Sequence, residues 1–237
     1  MSFDAEAEPL ADRLGEVDDV LDGYRLDDWR IVDRIAWGES PANWKIVMEN
    51  GRECYHHQGT HRDTLEPLWP TSMAVHETTD SSDWWYQRMM VSPDAAIGQE
   101  DGHWQQPLVL PAAPGLSAFQ RSHYLIFGLY PAFICAPGPD MTVVIRFYPT
   151  GHESHKVDFE MLVHEDRLDD PDMEQAKGEF QEFIRSVQQE DADQAISVQR
   201  SLRSITARGG GAALSPIERP IWQFQRYLAK RLTGDFV

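Results

Sequence analysis

The sequence predicts an α+β fold in which an antiparallel sheet is followed by a long helix packed against it. Three observations carry this. Segments rich in β-branched and aromatic residues fill the middle of the 237-residue chain. Two of them are joined by a short Gly-containing turn, and a helical run opened by Asp170 and Pro171 lies near the C-terminus. Strands grouped ahead of a helix argue for segregated layers rather than alternating βαβ units.

The elements follow in order. Residues 1–28 are acidic with scattered leucines, and 1–23 read as an N-terminal arm ahead of one domain at 24–237. RIVDRIAW, Arg30 to Trp37, alternates Ile31, Asp33 and Ile35 with Val32, Arg34 and Ala36, which predicts a strand. GESPAN interrupts it. Trp44, Val47 and Met48 then fall at helical spacing, with Gly51 weakening the helix. Strands are predicted over 83–91, 122–137, 141–150 and 154–165; in the last, Val157, Phe159 and Met161 share a face. GHE joins the final two as a hairpin. Residues 92–121, with several Pro and Gly, predict a long loop or lid. Asp170 as N-cap and Pro171 at the first position predict a helix from there to Arg203. ARGGGAA ends it. Ser215, Pro216 and Glu218 form a capping-box pattern opening a last helix to about Arg231.

Composition bounds the function. Hydrophobic residues make up 41%, with eight Trp and ten Phe, a globular mixture. The formal net charge of −18 repels phosphate backbones and anionic lipid surfaces, so neither nucleic acid nor membrane is an expected partner. Two cysteines, Cys54 and Cys135, give no disulfide framework. No apolar run approaches the ~20 residues of a membrane span. MSFDAEAEPL lacks the basic and apolar regions of a signal peptide, so a cytoplasmic protein is expected.

The chemistry concentrates in ECYHHQGTH, Glu53 to His61. Glu53 and His56 are three apart, one face of a helix. His61 lies five beyond His56 and joins them only if the helix ends near His57, which Gly59 permits. Two imidazoles and a carboxylate make the facial triad of non-haem Fe(II) oxygenases. The long helix offers the carboxylate. Phe180, Ile184, Val187, Ala195, Val198 and Leu202 form an apolar stripe, and Asp191 fills its one gap of eight residues. A carboxylate buried there is costly unless paired, and a metal removes the difficulty. Glu190 and Asp193 lie off the stripe and read as solvated. Spacing alone leaves the histidine cluster open between a metal site and a chance grouping, and Asp191 open between a ligand and an ion pair with an arginine. Trp84, Trp85, Tyr86, Trp104, Phe119 and Tyr124 offer an aromatic cage for a quaternary ammonium, or ordinary packing.

NWKIVMENGRECYHHQGTH resembles the iron-site segment of the large subunits of Rieske non-haem iron ring-hydroxylating oxygenases, through Asn43, Trp44, Lys45, Glu49, Asn50, Glu53, Tyr55, His56 and His61. The form ENxRECYH looks most like the branch acting on betaines and carnitine. Glu190 and Asp191, then Val198, Gln199, Arg200, Leu202 and Ser204, and later Leu214, Ser215 and Glu218, match the family's far end. The resemblance implies a helix-grip (START/Bet v 1-like) fold, a curved antiparallel sheet wrapped around the long C-terminal helix. It implies a mononuclear Fe(II) held by His56, His61 and Asp191, with Glu53 as the catalytic bridging acid that couples the iron to a Rieske cluster in a neighbouring subunit. It suggests a ring trimer. His57, where relatives often have Cys, reads as an extra ligand, a support to the ligands or a surface residue.

One departure sets the expected partners. The family's Cys-x-His and Cys-x-x-His pairs, which hold the [2Fe–2S] cluster, are absent, so no Rieske cluster is expected in this chain. Electrons are then expected from a separate Rieske ferredoxin-like or Rieske-domain chain and a reductase. The substrates are O₂ and a small organic molecule, in ring hydroxylation or oxidative N-demethylation. Two rival readings use the same residues: a non-catalytic helix-grip binding or regulatory subunit, and a Zn hydrolase. O₂-dependent product formation separates the first, and metal analysis the second.

Overall fold

The computed structural model describes residues 9, 12, 14–76, 83–204 and 213–234. Short helix α1 (Glu16–Leu21) precedes strand β1 (Trp29–Ser40). Helices α2 (Trp44–Asn50) and α3 (His57–Thr60) follow, then β2 (Ala74–His76) and β3 (Trp84–Met90). A two-stranded ribbon, β4 (Gly98–Glu100) and β5 (His103–Gln105), and helix α4 (Ala118–Ser122) lead to β6 (His123–Leu129), β7 (Phe133–Pro137), β8 (Thr142–Gly151) and β9 (Ser154–His164). The chain then forms the 30-residue helix α5 (Met173–Leu202) and ends in α6 (Arg219–Thr233).

Seven strands make one sheet in the order β1-β9-β8-β7-β6-β3-β2, with every neighbouring pair antiparallel. Helix α5 lies along the sheet's inner face. Its buried residues are Met173, Ala176, Phe180, Ile184, Gln188, Ala192, Ala195 and Gln199, at steps of three and four. They meet Ile35, Val143, Val157, Phe159, Met161 and Val163 from the strands. The predicted α+β fold, sheet against long helix, is the one observed. Its β8–β9 hairpin pairs Ile145 with Phe159 and Phe147 with Val157. The outer face is covered as well, where Val17 packs with Trp84, Phe127, Cys135 and Val144. A sheet buried on both faces explains why its strands read as nearly continuous apolar runs.

Five expectations are corrected. The run 122–137 is two strands, not one, because Pro131 supplies no ladder donor and the chain turns there between β6 and β7. The stretch 92–121 is not all loop, since it holds β4, β5 and α4, the last closed by a Ser117–Gln120 capping box. The long helix starts at Met173 rather than Pro171. Asp170 accepts the Asp172 N–H, and Asp172 takes the N-cap position without a side-chain bond. On the stripe, Leu202 is exposed, and Gln188 and Ala192 are buried in its place. The Ser215 capping box is present, but one turn of 3₁₀ helix separates it from α6. The predicted break at ARGGGAA falls largely outside the described residues. Among the described residues no helix is long and apolar enough to cross a membrane.

One ion cluster ties the sheet together. Glu160 on β9, with a side chain only 1% exposed, is bonded by Arg34 of β1 and Arg146 of β8. Burial raises its pKa, but the two guanidinium groups outweigh that and hold it below the usual glutamate value. A depressed carboxylate pKa gives stability that is present above about pH 4.3 and is lost as pH falls through the folded value. Glu160→Gln is therefore expected to be about 1–3 kcal/mol less stable than the parent at pH 7 in urea unfolding. The gap is expected to shrink below about pH 4, and a gap independent of pH would contradict the pairing.

Candidate metal centre

The segment from Asn43 to His61 closes one end of the space between sheet and α5. Asn43 caps α2 by accepting the Lys45 N–H at 2.9 Å, and its own N–H donates to Gln199 Oε1 of α5 at 2.8 Å. Helix α2 is thereby fixed to the long helix at both ends, because Asn50 Nδ2 donates to Asp191 Oδ1 at 2.6 Å. Between them Trp44 sets its ring edge-on to Phe224 of α6 at 6.0 Å. Arg52, fully buried, lies 3.9 Å over the Phe224 ring and donates to the carbonyls of Met48 and Pro131. Carbonyls and ring faces compensate a guanidinium that burial would otherwise make costly.

The two histidines bracket a single helical turn. The expectation was a helix ending near His57; instead α3 begins there. His56 stands at its N-terminal edge and His61 at its C-cap, with the His61 N–H bonded to His57 O at 2.9 Å. Glu53 is in the preceding turn, not on a helix. Its i,i+3 relation to His56 still holds, through 2.6 Å from Oε1 to Nδ1 and 3.1 Å from the His56 N–H to Oε2.

His56, His61 and Asp191 come together, with one ligand-capable atom from each lying within 4.8 Å of the others. Asp191 Oδ1 is 3.0 Å from His61 Nε2 and 3.8 Å from His56 Nε2. Both imidazoles turn Nε2 inward and give Nδ1 to a carboxylate, His56 to Glu53 and His61 to Glu190 at 2.7 Å. Such an outer carboxylate fixes the tautomer that leaves Nε2 free for a metal. Burial by itself lowers the His61 pKa, but the Asp191 and Glu190 carboxylates outweigh it and hold it above the usual value. Burial raises Asp191, yet the hydrogen bond from His61 and the charges of His61 and His56 leave it lowered. The cluster is a set of two imidazole nitrogens and one carboxylate oxygen, with a face open to a cavity. That donor chemistry fits a divalent iron.

Two corrections concern neighbours. Glu190 was read as solvated, but it takes both the His61 ring and the Thr64 hydroxyl, the latter at 2.8 Å. His57 is not a surface residue: it is 4% exposed, edge-on to the His56 ring at 4.9 Å, and burial beside two histidines pushes its pKa down to about 3. The aromatic cage does not assemble. Only Tyr124 of the six lines the cavity beside the cluster. Trp84 packs on the outer face, Trp85 against Met48 and Phe224, and Phe119 beside His103. Both cysteines are buried and unlinked.

Two openings adjoin the cluster. On the inside is a cavity of about 120 Å³, which shares the wall residues Tyr124, Val143, Phe183 and Ile184 with an outer cleft of about 490 Å³. On the other side is a surface groove of about 880 Å³ that reaches Glu53, Tyr55, His56 and Glu190.

Residues 23–234 match the protein family described as the ring hydroxylating alpha subunit, catalytic domain. The glycine betaine monooxygenase oxygenase subunit of Chromohalobacter salexigens is 31% identical over 100 residues, which is 42% of this chain and 20% of that subunit. The subunit of the same description from Pseudomonas aeruginosa is 35% identical over 59 residues, 25% of this chain and 14% of that one. Among solved structures, a quaternary ammonium Rieske monooxygenase studied for carnitine oxidation superposes with a TM-score of 0.72 at 22% identity, covering 97% of this chain and 58% of that one. Naphthalene 1,2-dioxygenase from a Rhodococcus species bound to indole gives a TM-score of 0.68 at 18% identity, covering 99% and 64%. The chain thus spans less than two thirds of the length of each of these relatives.

Proposed function

Because the chain belongs to the family of ring-hydroxylating alpha-subunit catalytic domains, we propose that residues 24–237 form the catalytic domain of an Fe(II)-dependent Rieske-type oxygenase. His56, His61 and Asp191 would hold the metal. The observation that carries this reading is the convergence of their three donor atoms, with each histidine oriented by its own carboxylate. When bound, Fe(II) supplies the activation of O₂ for hydroxylation of an organic substrate, by ring hydroxylation or oxidative N-demethylation.

The protein's own residues do the rest. Glu53 holds the His56 Nδ1 proton and lines the outer groove, so it is the group through which an electron donor seated in that groove would reach the metal site. Glu190 and Thr64 hold His61 in place. The apolar inner cavity seats the substrate and excludes water, which keeps reactive species from side reactions. The electrons come from a Rieske [2Fe–2S] partner chain and its reductase, seated at the groove, and the chain itself forms a homotrimer.

The test is iron analysis followed by reconstitution. The protein is expected to bind about one Fe(II) per chain and to form hydroxylated product only with O₂, a Rieske protein and a reductase. Zinc in place of iron, or binding of ligands with no product under those conditions, would overturn it.

A further inference from the structure

The polar groups on the inner cavity are those of the metal centre, Asn50, Tyr124 and Gln188, and one more, Gln87, which enters from β3 into a wall that also carries Ile126, Ile134, Val143, Phe159 and Ile184. Strand periodicity puts Gln87 on the same face as Trp85 and Met89, and those two are 1% and 0% exposed. Gln87 is itself 0% exposed, and neither its Nε2 nor its Oε1 has a hydrogen-bond partner. Buried polar groups are nearly always paired, and an unpaired carboxamide at a site where an aliphatic side chain would pack calls for a ligand.

We propose that Gln87 is a specificity-determining residue, whose carboxamide holds a hydroxyl or carbonyl group of a small, ring-sized substrate. A volume of about 120 Å³ suits roughly one six-membered ring. The inference rests on the reading of this cavity as the substrate site, but it does not depend on which metal is bound.

The test measures binding rather than turnover. Phenol and toluene are titrated by calorimetry into the purified full chain, and its iron content is determined separately. The parent is expected to bind phenol about tenfold more tightly than toluene, the gain of one neutral hydrogen bond. Gln87→Met, which keeps length without polarity, is expected to bring the phenol-to-toluene ratio close to one while iron content is unchanged. An unaltered ratio in a variant that still melts cooperatively would overturn the proposal. So would toluene binding as tightly as phenol to the parent, a comparison that needs no variant. Loss of iron from the parent would instead count against the oxygenase reading and leave the binding ratios to decide the role of Gln87.

Discussion

Asp191→Ala is expected to empty the metal centre, taking iron from about one per chain to under about a tenth, measured on protein loaded with Fe(II) and desalted. Asp191 is the only carboxylate in the cluster and the only donor from α5; its Oδ1 faces both Nε2 atoms at 3.0 and 3.8 Å. Removing it leaves two imidazoles at the ends of one short turn. Two ligands without an anion do not retain a divalent ion through desalting. Asn50 would also lose its acceptor, so α2 would lose one of its two links to the long helix. Asp191→Asn separates these roles. It keeps an oxygen to accept from Asn50 but lacks the charge, so iron should still fall steeply while the fold holds. Undiminished iron in either variant would remove Asp191 from the site.

Glu53→Gln should have the second large effect, and a different one. An amide oxygen can still accept the His56 Nδ1 proton, so iron should remain near one per chain. What disappears is the negative charge 2.6 Å from the imidazole, on the groove side of the metal. Replacing a carboxylate that orients a metal-bound histidine typically costs 10–100-fold. O₂-dependent turnover with a Rieske partner is expected to drop by roughly that factor, with binding of substrate analogues unchanged. Glu53→Ala removes the hydrogen bond as well and is expected to weaken iron binding about tenfold too. If Glu53→Gln lost iron as readily as Asp191→Ala, Glu53 would belong among the ligands rather than behind them.

How far these features were legible varies from element to element, for physical reasons. The β8–β9 hairpin announces itself through alternation and a short turn, and α5 through a 3.6-residue apolar period. Asp191 stood out because a carboxylate on that period demands a partner. Glu190 could not stand out the same way: one residue along, it points about 100° away on a helix, the direction of solvent in most proteins. Only the orientation of His61, with Nδ1 turned outward, shows why a second acid is needed there. The split of 122–137 was signalled by Pro131, which a central strand does not tolerate.

Other features depend on long-range placement that no local pattern encodes. The six aromatics proposed as a cage are scattered: alternation sends Trp84 and Tyr86 to the outer face of the sheet and Trp85 to the inner, while Trp104 lies in the β4–β5 ribbon and Phe119 in α4. The same alternation turns Gln87 toward the cavity, but the polarity of its surroundings depends on β6, β7, β8 and α5 together. The one-turn helix between the two histidines follows from neither propensity nor period. It forms because His56 O and His57 O accept the Thr60 and His61 N–H groups while both rings are tied to carboxylates.

The most direct measurement is an anomalous-scattering map at the iron absorption edge from crystals of the Fe(II)-loaded protein. A single strong peak is expected within bonding distance of His56 Nε2, His61 Nε2 and the Asp191 carboxylate, with Glu53 and Glu190 outside that distance. A peak elsewhere, or none at these three side chains in protein shown to contain iron, would contradict the account.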